Sequence, residues 1–111
     1  MLTRVYFGVF DGTRIIQRGD AGCNAVLLKG VRCVTTQELY DEIAVPLNAV
    51  IGKSLPQIQR GDNVVMRLVR RDNSSPPYVE SFYIVPHWYQ SVPAEQWDDI
   101  LNDLQKRERQ P

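Results

Sequence analysis

Residues 62–85 read DNVVMRLVRRDNSSPPYVESFYIV, and this stretch decides the fold. Two β-rich runs flank a segment of turn-forming residues. Side chains alternate along a strand, so Val64, Met66 and Leu68 share one face of the first run. In the second run Tyr78, Glu80, Phe82 and Ile84 alternate with Val79, Ser81, Tyr83 and Val85. An antiparallel register setting Met66 opposite Ile84, Leu68 opposite Phe82 and Arg70 opposite Glu80 makes one face apolar and ends it on a charge pair. Such cross-strand pairs contribute roughly 0.2–1 kcal/mol each. A slip of one residue would set Arg67 against Phe82 and Val69 against Glu80. The other face then carries Val65, Arg67, Val69 and Arg71 with Val79, Ser81, Tyr83 and Val85, half apolar and half basic. Asp72 to Pro77 form the connection, since Asp, Asn and Ser bond their own backbone and proline cannot donate to a ladder.

Working outward, Thr3–Phe10 is a strand with Val5, Phe7 and Val9 on one face and Arg4, Tyr6, Gly8 and Phe10 on the other. Asp11-Gly12 is a hairpin signal, with Arg14–Gln17 returning so that Phe7 meets Ile16 and Gly8 meets Ile15. The segment Arg18–Gly22 reads as loop. Ala25–Leu28 and Val31–Val34 suggest a second hairpin around Lys29-Gly30. Thr35 and Glu38 have the spacing of a capping box, and Leu39, Ile43, Leu47, Val50 and Ile51 recur at helical spacing. Pro46 breaks that helix near Ala44–Pro46, and Gly52 ends its second piece. Lys53–Gly61 reads as a polar connection. A C-terminal helix follows Pro93, with Trp97, Ile100, Leu101 and Leu104 on its apolar stripe.

The expected fold is therefore α+β: a small antiparallel sheet of β-hairpins, curled toward a barrel, with a broken central helix and a C-terminal helix packed on one face. The 111 residues make one domain spanning 1–111, with residues 107–111 fraying at the end. Thirteen basic and thirteen acidic residues cancel, which argues against a dedicated nucleic-acid binder and slightly favours self-association. No apolar run reaches the length of a membrane span and no signal peptide is legible, so a cytoplasmic location without membrane attachment is expected. Cys23 and Cys33 fit no zinc or redox spacing and read as reduced, buried side chains.

Candidate chemistry is sparse. Tyr6–Gly12, YFGVFDG, resembles the FGVFDGHGG stretch of metal-dependent protein phosphatases, in which the aspartate and the glycine carbonyl bind metal. Thr13 and Arg14 stand where His-Gly should follow, and the chain is less than half the length such a domain needs. The activity is not carried over, and a tight turn accounts for Asp-Gly by itself. Arg18-Gly19-Asp20 and Arg60-Gly61-Asp62 likewise read as turns. His87 is the sole histidine and could serve as a general base, but no nucleophile or orienting acid is adjacent in sequence. The acids Glu38, Asp41, Glu42, Asp98 and Asp99 read as solvated helix faces.

A non-catalytic role is therefore expected over an enzymatic one, with no cofactor and no metal. Arg67, Arg70 and Arg71, with Tyr83, His87, Trp88 and Tyr89, form the candidate binding surface, since Trp, Tyr and Arg dominate interface hot spots. The expected function is an adaptor, inhibitor or accessory factor binding a protein partner, or a second copy as a homodimer, through this basic–aromatic hairpin face. Single-stranded nucleic acid stacked on the same face is an alternative. A small-ligand enzyme or sensor using His87, Tyr89 and a pocket beneath Trp88 is a third.

Overall fold

The computed structural model describes residues 2–18 and 21–109. The chain is an α+β domain. Its strands are β1 (Leu2–Arg18), β2 (Ala21–Cys33), β3 (Leu39–Pro46), β4 (Asn63–Arg70) and β5 (Tyr78–Ile84). A short helix α1 (Ala49–Ser54) follows β3, and α2 (Trp97–Arg109) closes the described chain. All strand pairs are antiparallel, in the order β3-β2-β1-β4-β5.

Neither of the two N-terminal hairpins exists as expected. Both of their glycines serve bulges within long strands. Gly12 has φ +99°, and between Phe10↔Leu28 and Thr13↔Val26 β1 uses two residues where β2 uses one. Gly30 has φ +56° and gives β2 the extra residue between Val9↔Lys29 and Phe7↔Arg32. Glycine takes these left-handed angles without a Cβ clash, which is as useful in a bulge as in a turn. The chain runs through because β1 has two neighbours to satisfy: β4 along Leu2–Val9 and β2 along Tyr6–Arg18. Asp11 sits in the bulge and pairs with Lys29 at 2.9 Å and Arg60 at 3.7 Å. Of the expected loop at 18–22, Ala21 and Gly22 belong to β2, and Gly19 and Asp20 lie outside the described residues.

The first half of the expected central helix is strand β3. Thr35 does not cap a helix; its hydroxyl accepts the Val5 amide at 3.1 Å. Gln37 has φ 67°, and Glu38 accepts the Tyr40 hydroxyl. The helical piece begins only at Asn48, whose side chain accepts the Val50 and Ile51 amides at 3.0 Å. Gly52 lies inside that helix, and Pro46 ends the strand instead of opening the helix.

The β4–β5 hairpin forms with its register two residues from the expected one. Val64 meets Ile84 and Met66 meets Phe82. A shift of two keeps Phe82 and Ile84 on the face of Met66, whereas Val79 changes face and joins Met66 and Phe82 in the core. Beyond Arg67↔Ser81 a bulge brings Leu68 to Val79, so Glu80 has no partner across the ladder. Arg70 therefore does not face Glu80.

The two faces of the sheet are both covered. One, with Tyr6, Phe10, Leu28, Val64, Met66 and Phe82, packs on Ile51 of α1. The other, with Val5, Phe7 and Val65, packs on Trp97 and Leu101 of α2. The helices thus lie on opposite faces and not on one, because both strand faces carry apolar residues. The sheet does not close into a barrel: β3 and β5 are its two edges. Two residues past β3, Asn48 donates to the Val79 carbonyl at 3.3 Å, and Ser54 donates to the Phe82 carbonyl at 3.2 Å. The two ends of α1 thereby cover part of β5.

Candidate functional site

The sequence-picked residues do not share one surface. Arg67 is 5 % exposed beneath α2. Its guanidinium donates to Glu80 Oε1 at 2.6 Å and Asn102 Oδ1 at 3.2 Å, and lies 3.5 Å from Asp98 Oδ1. The bulge frees Glu80 to reach it. Asp98 and Asn102, four residues apart, occupy one face of α2, and Gln105 on the next turn donates to the Ser81 hydroxyl at 2.8 Å. Arg67 therefore clamps the helix to the sheet. Val65 and Val69 are buried on the same face, so it is not open to stacking bases.

Tyr83 is half-buried against the α2 core. Tyr89 packs there too, its ring 5.9 Å from Trp97 and 4.3 Å from Trp88, and Trp88 is 64 % exposed. His87 opens a 3-10 turn, His87–Ser91. Its Nε2 lies 2.7 Å from the Gln90 side-chain amide and its Nδ1 3.4 Å from Asn63 Oδ1. Arg32 of β2 donates to the Gln90 carbonyl and fixes the turn over the sheet. Asn63 starts β4, whereas Arg70 ends it, roughly 23 Å away at strand rise. Arg70 and the exposed Arg71 belong to the opposite end of the molecule.

Two features emerge that the sequence reading passed over. The first is a ribbon. Thr13–Arg18 pair with Ala21–Val26 and with no further strand among the described residues. Ile15 is 70 % exposed on this arm, and Cys23 is half-buried and free, not buried as expected, whereas Cys33 is fully buried and free. The second is a cavity of about 160 Å³ beside the β4–β5 connection, lined by Leu2, Arg4, Tyr6, Leu68, Val69, Arg70, Asn73 and Pro77. Leu2, Arg4 and Tyr6 of β1 and Leu68 and Arg70 of β4 are every second residue, so one strand face supplies them. A basic residue interrupting the otherwise apolar row Tyr6, Gly8, Phe10 was the sequence signal for it.

The charges around these features are held in specific ways. The nearby Tyr6 hydroxyl raises the Arg4 pKa. The hydrogen bond to Glu38 pushes the Tyr40 phenol up to about 12. The Ser74 hydroxyl and amide, with Ser75, hold the Asp72 carboxyl below its ordinary value. The hydrogen bond from Lys29, with the charges of Lys29 and Arg60, does the same for Asp11. Asp11 is thus engaged by two basic side chains. Among the described residues no three His, Cys, Asp or Glu side chains come together as a metal site would need, and no helix is long and apolar enough to cross a membrane.

Comparison with known proteins finds no matching family model, no matching curated protein and no matching solved structure.

Proposed function

We propose that this chain is a small non-catalytic interaction protein that binds a protein partner through the β1–β2 ribbon. The observation behind this reading is the arm's open edges. An isolated two-stranded ribbon is marginally stable in water, yet Thr13–Arg18 and Ala21–Asn24 extend past the covered part of the sheet as one. Apart from the Asn24 carbonyl, which accepts the Leu47 amide, the outward backbone donors and acceptors of the arm are unpaired among the described residues and form a template for a further strand, with Ile15 beside them as an apolar anchor. A second copy of the chain can supply that strand by two-fold antiparallel pairing, and zero formal net charge leaves no long-range repulsion against it. Adaptor, inhibitor and accessory roles all follow from a surface of this kind.

A photo-crosslinking side chain placed at Ile15, with Lys53 as the control position, tests the reading in extract from the cells that make the protein. A discrete protein adduct from position 15 and none from 53 is the expected result. An adduct of twice the chain mass identifies the partner as a second copy. Equal labelling from both positions, or none from 15, overturns the proposal.

A further inference from the structure

We propose that the cavity between Arg4 and Arg70 is a binding site for a small organic carboxylate with a flat apolar body. The site is independent of the ribbon. Its volume, about 160 Å³, matches a body of one aromatic ring. Leu2, Leu68 and Pro77 supply apolar walls and Tyr6 an aromatic one.

The charge pattern selects the ligand's sign and head group. Two guanidiniums line one small cavity, and among the described residues neither Arg4 nor Arg70 makes an ion pair. Two like charges on one apolar cleft repel each other, and an anion between them removes that repulsion. The carboxylate whose field reaches Arg4 is Glu38, which accepts the Tyr40 hydroxyl on Oε2 and forms no ion pair with Arg4 among the described residues. A guanidinium presents a planar fork that fits a carboxylate's two oxygens. Tyr6 adds a hydroxyl to the same lining. Asn73, the remaining polar side chain of the wall, comes from the 71–77 connection, which Asp72 folds back on itself through Ser74 and Ser75.

Sodium benzoate is the probe, titrated into the full chain at constant chloride and followed by amide chemical shifts. Saturable shifts confined to Leu2, Arg4, Tyr6, Leu68, Arg70 and Asn73 are expected. Benzyl alcohol, the same body without the charge, binds about tenfold more weakly or worse, since a hydrogen bond to a charged group is worth on that order. Arg4→Gln and Arg70→Gln, tested separately, each lower benzoate affinity by a similar factor, while Arg71→Gln leaves it unchanged. The comparison of benzoate with benzyl alcohol needs only the wild-type chain, so it stands even where a variant misfolds. Non-saturating or scattered shifts overturn the proposal. So does benzyl alcohol binding as tightly as benzoate, and so does inorganic phosphate alone giving the same shifts at the same concentration, which would make the site a plain anion hole.

Discussion

At the scale of single residues, Arg67 changes meaning most between sequence and structure. Its position on a half-basic strand face suggested a surface for a partner. The fold uses it as an internal cation, bonded at once to Glu80, Asn102 and Asp98. Two facts hid this from the sequence. The bulge that turns Glu80 toward Arg67 depends on pairing between strands, and the helix that covers both comes from residues 97–109. The cost of breaking the pair is asymmetric. Arg67→Met strands Glu80, which is 35 % exposed and rehydrates in part. Glu80→Met leaves a charge that is almost wholly buried, with the weaker Asp98 and Asn102 contacts alone. Glu80→Met is expected to destabilise by about 2–4 kcal/mol, a little below the usual cost of breaking a fully buried pair, and Arg67→Met by less. The double change is expected to cost less than the sum of the two, since two apolar side chains replace the pair. Urea unfolding of the four proteins in the cycle measures this; strict additivity would contradict the clamp.

At the scale of elements, local signals were sound and their use was not. Asp11-Gly12 and Lys29-Gly30 do mark positions where the chain needs a left-handed glycine. Whether such a glycine closes a turn or bends a strand depends on whether a second neighbour holds the strand straight, and β4 does that for β1. Leu39, Ile43 and Leu47 recur every fourth residue, yet β3 is extended because β2 offers a ladder and Thr35 is taken by Val5. The C-terminal helix was legible because Trp97, Ile100, Leu101 and Leu104 fit no strand period. Within the site, Arg70 was singled out from its strand, but its companions Arg4 and Tyr6 lie more than sixty residues earlier, and only the β1–β4 pairing joins them. One test belongs here. Gly12→Ala is expected to cost more than about 1 kcal/mol, because φ +99° is strained for any side chain, while the Arg60 guanidinium beside the new methyl ends a flexible side chain that can swing aside. Gly52→Ala, in the helix and with open space around it, is expected to stabilise by roughly 0.5–1 kcal/mol. Thermal melts of both variants decide the matter.

At the scale of the whole molecule, the pH range of stability follows from a few hydrogen bonds. Asp11 and Asp72 have folded-state pKa values below their unfolded ones, so their contribution is present above the ordinary carboxylate range and is lost as pH falls through the folded values. The Asp11→Asn, Asp72→Asn double variant is expected to show a shallower fall of Tm below about pH 4 than the wild type. Tyr40 works at the other limit with the opposite sign. Its raised pKa favours the protonated phenol, so its contribution is complete below about pH 10 and disappears as pH climbs toward about 12. Tyr40→Phe is expected to flatten the alkaline limb while leaving the acid limb unchanged. Melting curves across both limits check the two signs independently.

The central place of β1 also fixes an order of events. Its outer half meets β2 across a short stretch of chain, as at Thr13↔Val26, whereas its inner half waits for β4, as at Val9↔Asn63. The second closure spans about four times as much chain, a loop-entropy difference of only roughly 1 kcal/mol. That is small against the stability of a domain but large enough to rank encounters in time. During folding β1, β2 and β3 can form a three-stranded meander while the inner edge of β1 stays bare. Through that interval the nascent sheet has an apolar seam on the β4 side, and the chain is most exposed to pairing with its neighbours until Asn63–Arg70 arrive to fill it.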